Sequence, residues 1–157
     1  MIYKKGYLTG PGYYKNPEAT KETYLGEWFT SGDMGYFDDE GFLYIVDRKK
    51  DMVISGGVNI YPSEIEDVIL SHPSVSEVAV VGIPDEEWGE SLKAIVVKKP
   101  GKLLSEQEVI EICKENLASL KKPKSIEFWD ELPKNVAGKI LRREIRAKFW
   151  VGRERKV

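Results

Sequence analysis

The sequence predicts an α+β fold, and three observations carry that expectation. Runs rich in β-branched residues, "VSEVAVVGIP" and "SLKAIVVKK", read as strands. Two segments, "PSEIEDVILSH" and "SEQEVIEICKENLASL", hold apolar residues at helical spacing behind capping signals. Strands and helices are interspersed, and consecutive strands are joined by tight turns as well as by helices, which argues against a regularly alternating α/β pattern. With 157 residues, 41% of them hydrophobic, the chain has material for one domain plus an arm and too little for two large domains.

Taken in order, residues 1–33 are rich in Gly, Tyr, Lys and Glu, with turn signals at "TGPG" and "KNPE" and no sustained apolar period. They cannot make a core alone. From Gly41, "GFLYIVDRKKDMVISGGVNI" holds two short apolar runs around a charged turn and predicts a hairpin across "DRKKD". In the next segment Ser63 and Glu66 stand at capping-box spacing ahead of a helix that places Ile65, Val68 and Ile69 on one face. Two strands then flank the polar turn "DEEWGE". A second capping box, Ser105 with Glu108, opens a helix whose Val109, Ile110, Cys113, Leu117 and Leu120 keep helical spacing. "KSIEFWDELP" predicts a short strand. After Gly138, the spacing of Leu141, Ile145 and Phe149 predicts a last amphipathic helix with Arg142, Arg143 and Arg146 on its other sides.

Charge and composition exclude several functions. A net charge of −2 argues against a dedicated nucleic-acid binder, although residues 139–157 hold eight Lys or Arg against two Glu, a local basic tail that reads as a solvated helix face. No apolar run is long enough to span a bilayer, and "MIYKKGYLTG" lacks a signal-peptide core, so a cytoplasmic protein is expected. The single cysteine, Cys113, sits among helix apolar positions and reads as a buried small side chain; His72 reads as a helix-terminus residue. Neither has partners at ligand spacing, and no metal site is expected.

Three short constellations carry the chemistry. "TSGD" ends in Asp33, which by spacing alone reads first as a turn aspartate, although a carboxylate there is also able to accept hydrogen bonds from a ribose diol. "DRKKD" packs Arg48, Lys49 and Lys50 between two aspartates. "SGGVNIYP" puts Gly56 and Gly57 inside a strand-like pattern, which marks either a bulge or a close approach of a ligand or another chain to the backbone. Further on, "LPKNVAGKILRR" presents Lys139 on a glycine-flanked loop ahead of a cationic helix.

In combination, "GEWFTSGD", "DRKKDMVISGGVNIYPSEIE" and "LPKNVAGKILRR" resemble the C-terminal portion of the adenylate-forming enzymes, the superfamily of acyl-CoA synthetases, peptide synthetase adenylation domains and luciferases. The resemblance runs from about Gly10 to Phe149. It implies the small C-terminal domain of that superfamily, a β-hairpin followed by a mainly antiparallel three-stranded sheet with flanking helices. Residues 1–48 would be the tail of a large N-terminal adenylation domain, residues 49–157 the mobile domain, and Lys50 the hinge. Asp33 and Arg48 would bind the nucleotide, and Lys139 would act in adenylation. Gly56 and Gly57 would line the coenzyme A tunnel, with Trp88, Lys122 and Lys124 meeting its nucleotide end; Leu120 stands where the family often has an aromatic.

The implied reaction joins a fatty or aryl carboxylic acid, ATP (with Mg) and coenzyme A into acyl-CoA, AMP and diphosphate. The large domain's phosphate loop and acyl pocket have no counterpart in this sequence, so the chain is expected to be part of a larger enzyme, inert by itself and with no cofactor bound. The alternatives are another adenylate-former, luciferase-like or a peptide synthetase adenylation domain, and a stand-alone module that binds a nucleotide or a partner.

Overall fold

The structure, a computed structural model, describes residues 1–153, and the chain divides into two units between Lys50 and Asp51. In the first unit a 3₁₀ turn (Tyr7–Thr9) precedes helix α1 (Pro17–Thr23), which starts on Asn16 accepting the Ala19 N–H at 3.0 Å and has Pro17 in its first turn. Strands β1 (Tyr24–Leu25) and β2 (Trp28–Phe29) form a minimal ribbon, and β3 (Asp33–Phe37) pairs antiparallel with β4 (Leu43–Arg48). Among the described residues of this unit only Thr30 is buried, in keeping with the expectation that residues 1–33 make no core of their own.

The pairing of β4 corrects the hairpin expected across "DRKKD". Its partner lies upstream, at β3, because "DDEG" is the better turn. There the Asp38 carboxylate accepts the Glu40 and Phe42 N–H groups at 3.0 and 2.8 Å, closing the loop with its own side chain. "DRKKD" instead joins the two units.

In the second unit β5 (Val53–Ser55) and β6 (Val58–Ile60) form a hairpin through Gly56 and Gly57. Their φ values, +57° and +79°, are those of a type I′ turn, a conformation that favours glycine at both positions, so the pair is a hairpin turn and not a bulge. Helix α2 (Pro62–Leu70) follows. The expected Ser63–Glu66 capping box does not form, since Pro62 occupies the first helical position, Tyr61 becomes the N-cap, and Glu66 falls on the inward face. The long strands β7 (Val75–Asp85) and β8 (Gly89–Lys98) then pair antiparallel over their whole length. Helix α3 (Glu106–Asn116) does carry its capping box, Ser105 and Glu108 bonding reciprocally. A 3₁₀ turn (Ser119–Lys121), strand β9 (Ser125–Phe128) and helix α4 (Arg142–Ala147) complete the described chain.

Strand β8 organises the sheet. One edge takes β7; the other takes β5 at Gly89 and β9, in parallel, from Lys93 to Val96. The hairpin thereby joins the three strands β7, β8 and β9 in one five-stranded sheet. Alternate residues serve two cores: Val80, Leu92 and Val96 pack with α2 and α3, while Ala79, Val81 and Ile95 pack with Leu132 and Ile145. Burial on both faces explains why these strands read as unbroken apolar runs. Cys113 belongs to the first core, and burial pushes its thiol up to about 11. His72, just past α2, accepts the Ser74 N–H on Nδ1 at 3.2 Å. No described helix is long and apolar enough to cross a membrane.

Glu66 links these layers. Its Oε1 accepts the Val80 N–H at 2.8 Å on edge strand β7 and the Arg142 Nε–H at 3.0 Å, and its Oε2 accepts the other arm of the guanidinium. Arg142, expected on a solvated side of α4, is thus part-buried and bidentate, and Asp51 lies 3.9 Å from both Arg142 and Arg146. Arg142→Ala would leave a carboxylate that is 7% exposed without its counter-charge. We expect a loss of roughly 3 kcal/mol, read as a lower urea midpoint at unchanged slope.

Candidate functional site

The loop that bears Lys139 hangs from two buried ends, Leu132 and Ile145. Backbone pairing closes it in steps: Leu141 N–H to Pro133 O at 2.8 Å, a bridge between Lys134 and Ile140, and Asn135 N–H to Lys139 O at 3.0 Å. Gly138, with φ +77°, makes the reversal that an L side chain would strain. The Asn135 Oδ1 accepts both the Ala137 and Lys139 N–H groups, at 3.0 and 2.9 Å. Lys139 is exposed, and among the described residues no carboxylate pairs with its ammonium. It is an available cation on a structured tip.

Asp33 and Arg48 meet in the first unit. They face each other across the β3–β4 ladder, with Arg48 Nε 3.3 Å from Asp33 Oδ1, while Ser31 donates its hydroxyl to Oδ2. The Lys49 N–H donates to Gly32 O at 2.8 Å, tying the "TSGD" turn to the end of β4. Lys50 closes this unit, and the division of the chain comes directly after it.

Gly56, Trp88, Lys122 and Lys124 gather in the second unit. Ser55, Trp88, Leu120, Lys122 and Lys124 line a cavity of about 120 Å³. Its wall depends on Gly56, where an added Cβ would lie 2.4 Å from Trp88 Cε3, so the close approach that this glycine permits is that of the indole. Nothing stands within 4 Å of a Cβ at Gly57. Lys124 pairs with Asp85 at 2.9 Å and holds its ammonium 5.4 Å from the Trp88 ring centre.

Asp85 and Asn135 are not among the residues that the sequence singles out, and Glu66 stands out there only as a capping residue. Asp85 carried a signal: an aspartate opening "DEEWGE" accepts the N–H groups two and three residues on, here from Glu87 and Trp88 at 3.1 and 3.0 Å. Lys124 first, and then the Trp88 N–H, hold its carboxyl down at about 2 from an ordinary 3.8. The folded state therefore favours ionised Asp85. Its contribution is complete above about pH 3.8 and is lost as pH falls toward 2. We expect Lys124→Ala to return the Asp85 titration toward 3.8, followed by carboxyl NMR shifts; an unmoved titration would remove Lys124 as the main cause.

Residues 64–139 match the family described as AMP-binding enzyme C-terminal domain. That match takes in just under half of the chain. Over 145 residues the chain is 51% identical to a 2-succinylbenzoate–CoA ligase of Bacillus cytotoxicus, covering 92% of this chain and 30% of the ligase. A Bacillus cereus enzyme of the same name is 48% identical over 146 residues, covering 93% and 30%. Among solved structures, o-succinylbenzoate CoA synthetase from Bacillus subtilis in complex with its acyl-adenylate intermediate is similar with a TM-score of 0.86 at 41% identity, covering 92% of this chain and 29% of that one. ATP-bound MatB from Rhodopseudomonas palustris gives 0.82 at 38% identity, covering 88% and 28%. The chain thus spans about 30% of the length of the curated relatives it matches. The five-stranded α+β unit is the small domain that the resemblance implied.

Proposed function

We propose that this chain is the C-terminal region of an AMP-forming acid–CoA ligase, which joins a carboxylic acid, ATP and coenzyme A into acyl-CoA, AMP and diphosphate through an acyl-adenylate. The observation that carries the reading is the Lys139 tip, an exposed ammonium with no carboxylate partner among the described residues, in a chain about half identical to CoA ligases. Attack of a carboxylate on the α-phosphate brings two anions together. A positioned cation lowers that barrier most as charge shifts to the leaving diphosphate. Lysine suits the task, being a compact charge on a long stem.

In this reading Asp33 and Arg48 bind the ribose and phosphate region of the nucleotide, and their mutual ion pair supports the assignment by orienting the carboxylate. Lys50 is the hinge, and the division of the chain after it supports that role. After adenylation Lys139 withdraws, and the side bearing Gly56, Gly57, Trp88, Lys122 and Lys124 receives coenzyme A, the two ammonium groups meeting its phosphates. The partner is the N-terminal adenylation domain, which supplies the acyl pocket, and Mg enters with ATP. The acid is a fatty or aryl one, the names of the Bacillus relatives favouring aryl. The substrates ATP and coenzyme A are consistent with a cytoplasmic enzyme.

The test is a hybrid in which this chain replaces the matching segment of the Bacillus cytotoxicus ligase. We expect ATP-dependent formation of a 2-succinylbenzoyl-CoA thioester. A folded hybrid that forms no acyl-adenylate, beside an active parent enzyme, would contradict the reading.

A further inference from the structure

We infer that Asn135 is a positioning residue that sets the backbone from which Lys139 reaches its substrate; this rests on the proposed role of Lys139. The loop tip has no packing to hold it. Residues 136–139 are all exposed, Val136 completely so, and the apolar anchors lie at Leu132 and Ile145. Polar contacts must therefore define the tip, and four of them converge on one residue. The Asn135 side-chain oxygen accepts from Ala137 N–H at 3.0 Å and from Lys139 N–H at 2.9 Å. Its backbone N–H donates to Lys139 O at 3.0 Å, and its carbonyl accepts from Gly138 N–H at 2.9 Å. Asn135 thus grips Lys139 at both its N–H and its carbonyl, which fixes where the lysine stem starts and where it points.

The chemistry of the side chain fits this task. Two N–H donors face it, so the amide oxygen points inward and uses both lone pairs. A serine reaches less far, and alanine offers no acceptor. Aspartate would hold the turn equally well, but it would add a negative charge next to the ammonium where an anionic α-phosphate must approach. Asparagine provides the acceptor without that charge. A mobile lysine would have to be ordered at each encounter with substrate; a pre-ordered backbone removes part of that entropy loss before the reaction.

The test has two arms. On the 157-residue chain itself, Asn135→Ala should speed hydrogen exchange at the Ala137 and Lys139 amides severalfold and leave the β7 and β8 amides unchanged, whereas Asn135→Asp should preserve protection at both loop amides. In the hybrid ligase described above, Asn135→Ala should slow acyl-adenylate formation about tenfold while thioester formation from supplied acyl-adenylate stays normal. In a Lys139→Ala background the same change should cost nothing further, since a residue acting through Lys139 has nothing left to position. Unchanged loop exchange in Asn135→Ala, or a tenfold loss that persists without Lys139, would overturn the inference. An inert Lys139→Ala substitution would instead overturn the reading of the lysine on which it rests.

Discussion

Lys139→Ala in the hybrid ligase described above is expected to cut acyl-adenylate formation by roughly 10²- to 10³-fold, the scale for removing one preorganised electrostatic contact. The expectation follows from the state of the side chain: exposed, without a carboxylate partner among the described residues, and standing on a loop closed by backbone bonds to Asn135 and Pro133. Among the described residues, no ion pair has to be broken before it meets an anion. In the proposed reaction its contribution falls in the step in which negative charge moves from the α-phosphate to diphosphate, so thioester formation from supplied acyl-adenylate should be nearly normal. The checks are diphosphate release in single turnover for the first step and acyl-CoA formation from synthetic adenylate for the second. Equal losses in both steps would remove Lys139 from adenylation.

Lys50→Pro is expected to separate the two half-reactions in the opposite sense. Lys50 is the last residue of the first unit, and Asp51, next in sequence, lies close to Arg142 and Arg146 in the second. A rotation of one unit against the other has its φ and ψ changes concentrated at this junction. Proline holds φ near −65° and removes an N–H, so it should trap one arrangement. Adenylation should persist while thioester formation falls by at least about 10²-fold, as expected when a required conformational step is blocked. Full turnover of both steps in the proline variant would move the hinge elsewhere.

Legibility in the sequence followed the range of the interaction. The capping box at Ser105 and the apolar runs of β7 and β8 are local patterns that appear in the fold as read. Ile145 is buried as its spacing predicts, but α4 spans only Arg142–Ala147, so Leu141 and Phe149 flank the helix instead of lying within it. The partner of β4 was not legible, because "DDEG" and "DRKKD" both have turn composition and only the Asp38 side-chain bonds decide between them. Ser63 and Glu66 matched a capping pattern, yet the partners of Glu66 are Val80 and an arginine 76 residues away, which no local window contains. The same holds at the site. Lys139 could be singled out from "AGKILRR", whereas the grip of Asn135 on it depends on a loop geometry that becomes visible only when Lys134 and Ile140 pair.

In the proposed reaction this chain contributes Lys139, while the in-line positioning of ATP and acid comes from the remaining length of the ligases it resembles. Positioning of that kind contributes several kcal/mol or more to such a reaction, so the chain by itself should lack activity. The direct measurement is ATP–diphosphate exchange with a panel of fatty and aryl acids, first on the 157-residue chain alone and then with the N-terminal portion of the Bacillus cytotoxicus ligase added. We expect no exchange by the chain alone and Lys139-dependent exchange once the two are combined. Exchange by the chain alone would overturn the proposed division of labour.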